Sequence, residues 1–354
     1  MRMLIAAVAL ACLLGACGDK AVPSPAAGAT VATGAIQPLG RTVETFGDWV
    51  VTCNRALHCE AIGPTADKTA VGVHIYRDAG PDAQPGAMLT FGLADSAAYS
   101  TVTANVGGNR FATSSPTSIT DGVANVEDDA VPGLARALAA GGPATLTRAD
   151  QPPITISTEG ASAALRWMDE RQGRTGTVTA LVDPGDRPAS AVPAAPQVQT
   201  PQAAPAADQA GLEVDALIEA VTARLRARSD VQTCGALDGA AGGVWGYRLN
   251  AATELWGIGC NSGTANDTRL WFLTGPNGAD PQPLILPLTD DVVTEFDGSE
   301  FNPDQQTLSI SSLAPSQCGV RAQWVWTGAA FALQSENAMS ECWNLEPDMW
   351  PSTW

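Results

Sequence analysis

The chain has 354 residues, 37 of them acidic against 19 basic, and a formal net charge of −18 at pH 7. That excess speaks against nucleic acid and against anionic lipid headgroups as partners. Only 2 His are present, His58 and His74, which leaves little for His-based catalysis or a His-rich metal site, and no cofactor is implied.

The chain opens as an export signal does, with Arg2, an apolar run from Leu4 to Leu13, and then Leu14-Gly15-Ala16-Cys17. The run is too short to span a bilayer, which takes about 20 apolar residues. A Cys directly after Leu-Gly-Ala resembles a bacterial lipobox. The resemblance implies cleavage after residue 16, acylation of Cys17 and a partner membrane reached through the N-terminal lipid. Several acyl chains anchor firmly where a single one does not. Gly18, not Asp, follows the Cys, which in the lipoprotein pattern implies the outer membrane, facing the periplasm. Residues 17–40 are rich in Ala, Pro and Gly and read as a tether.

The next body, 41–183, carries strand signals at Phe46 to Thr52, Glu60 to Ile62, Val71 to Tyr76, Met88 to Leu93 and Ser100 to Val106. Val131 to Ala140 reads as a short helix stopped by Gly141-Gly142. Ile154 to Ile156 alternates like a strand, Ser162 to Arg171 has helical spacing, and Thr177 to Val182 reads as a final strand. Six prolines between 184 and 210 predict an extended spacer. The second body, 211–354, opens with a helix from Glu213 to Arg228, since Val214, Leu217, Ile218, Val221 and Leu225 fall at helical spacing. Its basic end reads as dipole and solvation. Short strands follow at Val244 to Leu249, Leu255 to Cys260, Arg269 to Leu273, Leu284 to Leu288, Thr307 to Ile310, Val320 to Trp326 and Phe331 to Leu333. The fold class is α+β and strand-dominated: two disulfide-stapled, β-rich domains joined by a Pro/Ala-rich linker.

Of the 8 Cys, Cys12 leaves with the signal and Cys17 takes lipid. Cys53, Cys59, Cys234, Cys260, Cys318 and Cys342 remain, and an even number in an exported chain reads as disulfides. Fifteen pairings are open; nearest neighbours are favoured, Cys53–Cys59, Cys234–Cys260 and Cys318–Cys342. The two longer loops are worth about 3.5 kcal/mol each and the tight one about 2.4 kcal/mol in loop entropy. The sharper alternative is a thiolate beside His58, as nucleophile or metal ligand. The spacing fits neither a Cys-x-x-Cys motif nor a common zinc pair.

No Gly-x-Ser-x-Gly elbow, Walker loop, His-Glu-x-x-His or dinucleotide fingerprint is present. Asp290, Asp291, Glu295, Asp297, Glu300 and Asp304 read as solvated turns. Paired carboxylates there could run glycoside hydrolysis, and clustered oxygens could hold calcium. Eight of the 10 Trp fall in the second body. Trp324 and Trp326 lie two apart and share one face of a strand, and Trp350 precedes Pro351. These three are the binding candidates, since exposed aromatics stack on sugars or anchor protein interfaces. Arg166, Asp169, Glu170, Arg171 and Arg174 read as ion pairs on a helix face, with a docking face as the functional alternative.

Several landmarks together carry a family resemblance. They are Phe46-Gly47-Asp48-Trp49, Cys53, Cys59, Arg77 to Pro81, Ala164 to Arg174, Gly176 to Val182, Cys318-Gly319, Trp324 to Gly328, Phe331 and Cys342. The chain resembles the bacterial exported six-cysteine family known as domain of unknown function 1176, from about residue 41 to the C-terminus. The first body also resembles invasion-associated locus B proteins around Phe46 to Cys59. The resemblance implies export and six cysteines but brings no activity and no catalytic residues.

The reading is a lipid-anchored envelope protein, more binding module than enzyme, with an envelope glycan or protein as partner. The alternative is a carboxylate-dependent hydrolase of envelope glycans acting through Asp297 and Glu300.

Overall fold

Two residues, Gly47 and Asp48, turn the first expected strand into a hairpin. β1 (Val43–Phe46) and β2 (Trp49–Cys53) pair antiparallel across them. Gly47 adopts φ +56, in the left-handed region that a tight turn demands and that glycine enters freely. The computed structural model describes residues 36–40, 42–90, 102–113, 123–148, 152–210, 212, 214–229, 231, 243–262, 266–315 and 317–354. Residues 1–35, with the signal run and Cys17, lie outside the described residues, as do Phe91 to Leu93, Ser100, Thr101, Glu213 and Cys234.

The hairpin continues into a meander of β3 (Cys59–Pro64), β4 (Val71–Arg77), β5 (Pro85–Thr90) and, further on, β8 (Val123–Asn125). Together they form a six-stranded sheet in the order β1-β2-β3-β4-β5-β8. A second sheet is built from β6 (Val102–Val106), β7 (Asn109–Ala112), β9 (Ala144–Arg148) and β10 (Ile154–Thr155), in the order β10-β9-β6-β7. Helices α1 (Val131–Ala140) and α2 (Ala161–Arg171) share their core. α2 buries Ala161, Ala164, Leu165, Met168 and Asp169, the i, i+3, i+4, i+7, i+8 stripe of an amphipathic helix. It starts at Gly160, φ +96, where an added Cβ would lie 1.6 Å from the Phe46 carbonyl oxygen. Any side chain there would push the hairpin off the helix.

Thr177 to Val182 is not a strand. The segment runs through turns, with Thr177 bridging Arg187 and its N–H groups at Leu181 and Val182 donated to the Asp169 carboxylate. The hydroxyls of Thr177 and Thr179 join a hydrogen-bond network with Arg174 instead. The stretch 184–210 is largely extended, as its prolines require, but makes contacts: Val192 is buried, and Ala204 N donates to Trp326 O.

Beyond it, α3 (Val214–Arg226) buries Val221 and Leu225. Its basic end does more than complement the dipole. Arg224 donates to Asn277 O and Gly278 O, and Arg228 to Pro281 O, fastening the end of the helix to the turn before the strand Ala279–Pro283 and to that strand itself. β11 (Val244–Arg248), β12 (Glu254–Ser262), β13 (Asp267–Gly275) and β14 (Ala279–Pro283) form one antiparallel sheet. The short pair β15 (Leu286–Pro287) and β16 (Val292–Val293) follows, then β17 (Phe296–Asp297), which pairs β13. β18 (Glu300–Asn302), β19 (Thr307–Ala314), β20 (Cys318–Trp326) and β21 (Phe331–Met339) make the last sheet in sequential order.

The two bodies share a core. Val50, Ile62 and Val71 on the first sheet pack with Met339, Trp343, Leu345 and Trp350. β2 is therefore buried along its whole length, without the alternation of a half-exposed strand. No helix among the described residues is long and apolar enough to cross a membrane.

Candidate functional site

The tryptophans chosen as binding candidates are core residues, and that expectation is corrected. Trp324 is 0 % exposed, Trp326 2 % and Trp350 3 %. Trp324 and Trp326 do share a strand face, but it is the inner one, against Leu308, Phe331 and Leu333. Trp324 Nε1 donates to Pro287 O and Trp350 Nε1 to Leu345 O, so their polar edges are satisfied internally.

Cys53 is bonded to Cys59, and Cys318 to Cys342. Cys260 is also disulfide-bonded. With Cys53 and Cys59 oxidised, no thiolate stands beside His58. What the loop builds instead is a charge cluster on Glu60. β3 and β4 pair Ile62 with His74 and Glu60 with Tyr76, which brings both histidines of the chain to one buried carboxylate. His74 Nε2 lies 2.7 Å from Glu60 Oε2 and His58 Nε2 3.5 Å from Oε1. Ser352 N donates to Oε1 at 2.8 Å. Asp78 Oδ1 lies 2.6 Å from His58 Nδ1. The Tyr76 ring packs against both imidazoles.

The bond to Glu60 raises His58, against burial and with help from Asp78, to about 9. Burial pushes Glu60 up, but His58, His74 and the Ser352 N–H outweigh it and bring the carboxyl down to about 2. The two shifts share the His58–Glu60 contact. At neutral pH the cluster is an imidazolium on a carboxylate, and a base already protonated cannot accept a substrate proton.

A second network lies at the end of α2. Arg174, 0 % exposed, donates to Gln172 Oε1, Thr179 Oγ1, Asp78 O and Gly80 O. Arg77 donates to Ala83 O and Thr179 O. Burial, with Arg174 close by, lowers Arg77 to about 10. Gln172 Nε2 donates to Leu57 O and Arg77 O. Asp169 and Arg174 thus belong to the interior, which corrects the reading of them as part of a solvated helix face. Arg166 does pair on the surface, with Asp183.

The acidic run is divided between neighbouring turns and short strands. Asp297 accepts from Thr268 Oγ1 at 2.7 Å and from Ser312 Oγ at 2.9 Å. With Asp291 and Glu295 it lines a cavity of about 310 Å³ that Glu300 does not line. Among the described residues no group of three or more His, Cys, Asp or Glu is arranged to hold a metal ion.

The feature that sequence reasoning missed is the outward face of β19, β20 and β21. Register sets Ser309, Gln323 and Ser335 in one cross-strand row and Ser311, Arg321 and Asn337 in the next. The inner rows are Leu308, Trp324 and Leu333, then Ile310, Ala322 and Glu336. Strict alternation along β21 from Phe331 would turn Ser335 inward. A bulge between Gln323 and Trp324 on the ladder shifts the parity, so Ser335 faces out and the Glu336 carboxylate faces in. There Glu336 accepts from Thr289 and Thr353. The outward rows floor a groove of about 420 Å³, with Gly298, Pro347 and Asp348 also lining it. Arg321 pairs with Asp348 at its edge. The visible signal was the Ser-Ile-Ser and Arg-Ala-Gln-Trp alternation of β19 and β20.

Fold and cross-links together define a disulfide-stapled, strand-dominated α+β protein. It belongs to the family described as Protein of unknown function (DUF1176), which matches residues 43–354. The chain is similar to the uncharacterized protein YpfG of Escherichia coli (strain K12), 27% identical over 344 residues, 87% of this chain and 91% of that protein. It also resembles the crystal structure of invasion associated protein B from Bartonella henselae, 24% identical, with a TM-score of 0.28, over 37% of this chain and 98% of that one.

Proposed function

We propose that this chain is an exported envelope protein, anchored through acylated Cys17, that binds an envelope glycan and performs no chemistry on it. The observation that carries the reading is the groove over β19, β20 and β21. Its outward rows are Ser309, Gln323 and Ser335, then Ser311, Arg321 and Asn337, so hydroxyls and amides surround one guanidinium that is paired with Asp348. Hydroxyls both donate and accept, and amides present a donor and an acceptor side by side. That is the complement of sugar hydroxyl and acetamido groups. Of the two carboxylates that hydrolysis would use, Asp297 is bonded to the Thr268 and Ser312 hydroxyls and Glu300 does not line its cavity, and the one shifted imidazole is already protonated.

The test is calorimetric titration of the mature chain, carrying Cys17→Ser for solubility, with soluble peptidoglycan fragments. Saturable binding without product is expected. Gln323→Ala and Ser335→Ala should each weaken it about two- to twelvefold, the loss of one hydrogen bond of about 0.5–1.5 kcal/mol. Equal binding by the variants, or none by the parent, would overturn the glycan reading. The anchor is tested separately: Cys17→Ser should release the protein from washed membranes.

A further inference from the structure

The outward side chains of the groove over β19, β20 and β21 are not equally occupied. Ser309 Oγ donates to Glu300 O and Asn337 Nδ2 to Trp350 O. The Gln323 amide and the Ser311 and Ser335 hydroxyls have no partner among the described residues. Arg321 stands between Ser311 and Asn337 in its row, and among the described residues its side chain touches a single partner, Asp348. A guanidinium carries five N–H donors in a planar fork that matches the two oxygens of a carboxylate. Most of this fork is uncommitted.

Asp348 comes from the short turn Pro347–Met349, which walls one side of the groove. The backbone of that turn is fixed: Met349 N donates to Glu346 O, and the Trp350 side chain just beyond it is buried. The Asp348 carboxylate is held by Arg321 alone among the described residues. Its side chain is 89 % exposed and that of Arg321 43 %. An ion pair so open to water contributes little and is easily exchanged.

We propose that Arg321 receives a carboxylate carried by the bound sugar, and that Asp348 holds its place until the ligand arrives, so that the groove selects a glycan bearing a single carboxylate. This inference rests on the glycan reading of the groove and specifies its ligand. Arg321 and Gln323 lie on one strand face two residues apart, about 7 Å, which sets a sugar ring over Gln323 when an acid arm on that ring meets Arg321. Ser311 and Ser335 lie on the flanking strands, within reach of the ring hydroxyls. The exchange replaces one carboxylate on the guanidinium by another while Asp348 turns to water. The displaced Asp348 stays nearby and the chain carries a formal charge of −18. A dianionic phosphate would meet that surplus with one guanidinium to hold it, so a monoanion is the better match.

The probes are two disaccharides of the same linkage, N-acetylglucosaminyl-N-acetylmuramic acid and di-N-acetylchitobiose. The first differs by a lactyl ether that bears a carboxylate. Each is titrated calorimetrically into the full mature chain carrying Cys17→Ser. The acid should bind about tenfold more tightly, as one charge-assisted contact confers. Arg321→Gln should erase the difference between the two sugars. Asp348→Asn should tighten the acid about two- to fivefold, the strength of an exposed ion pair, and should not tighten chitobiose. A pair that merely braced the turn would give the opposite sign, a loss for both sugars. Both side chains face solvent, so both variants should melt as the parent does. Equal affinity of the parent for the two sugars, or a weaker hold on the acid in Asp348→Asn, would refute the carboxylate inference and leave the glycan reading in place. Binding of neither sugar would refute both.

Discussion

Around Glu60, two imidazoles and a backbone N–H converge on one buried carboxylate, whereas along β19, β20 and β21 serines, Gln323 and Asn337 stand in open rows. Both regions are polar and both sit on antiparallel sheets, yet they spend their hydrogen-bonding capacity differently. In the first, every ionisable group is bonded to a neighbour, Asp78 from the solvent side. Arg77, Arg174, Gln172 and Asp169 follow the same habit. In the second, the groups other than Arg321 are uncharged, Ser309 donates to Glu300 O and Asn337 to Trp350 O, and apolar side chains pack beneath the sheet. A group already committed to its neighbours is a poor catalyst and a good staple; an uncommitted one is where a ligand gains contact.

Removing Glu60 should do the greatest damage. Glu60→Ala leaves the buried His74 without its carboxylate partner and strands the Ser352 N–H, and breaking a buried ion pair from one side costs about 3–5 kcal/mol. A urea midpoint unchanged from the parent would mean the cluster is no staple. The disulfides come next. Replacing Cys318 and Cys342 by Ser should cost about 3.5 kcal/mol, and replacing Cys53 and Cys59 about 2.4 kcal/mol, in order of loop length.

Acid and alkali probe the first region alone. His58 is raised from 6.5 to about 9, so its contribution is complete below pH 6.5 and lost as pH rises through 9. Glu60 is lowered from 4.5 to about 2, so its contribution is complete above pH 4.5 and lost as pH falls through 2. Thermal stability should therefore peak between pH 4.5 and 6.5 and decline on both sides. His58→Gln should flatten the alkaline decline; a decline of the same depth in that variant would assign it to other groups. The smallest effect belongs to the second region. Gln323→Ala should change the unfolding free energy from urea titration by no more than about 0.5 kcal/mol, while glycan binding falls. If it destabilises as Glu60→Ala does, the contrast between the regions fails.

The two regions were legible to different degrees. The helix from Ser162 appeared a residue later than its true start at Ala161, because apolar spacing marks a helix face well and its end poorly. β20 was read from Val320 to Trp326 and runs from Cys318 to Trp326. The Gly47 hairpin was missed because the apolar residues on either side of two turn residues join into one apparent run. The inward aim of Trp324 was not legible, since period-two spacing says which residues share a face but not which face meets the core. Nor was the meeting of His58 and His74 on Glu60, which depends on how β3 and β4 align. The outward row through Ser335 depended on a bulge, and a bulge leaves no mark in composition.

Ser352 N reaches Glu60 across 292 residues, and Thr42 Oγ1 reaches Thr353 O across 311. The outer face of the first sheet, at Val50, Ile62 and Val71, packs with Met339, Trp343, Leu345 and Trp350, with Leu313 and Met349 against the same cluster. During synthesis that face exists long before its cover does. Contacts so distant in sequence close late, because the loop must be closed before the contact repays it. A nascent chain of this kind carries an adhesive apolar sheet through most of its emergence, and a chain halted before residue 339 keeps it for good. Its safe passage depends on what shields that face while the last sheet is still being made.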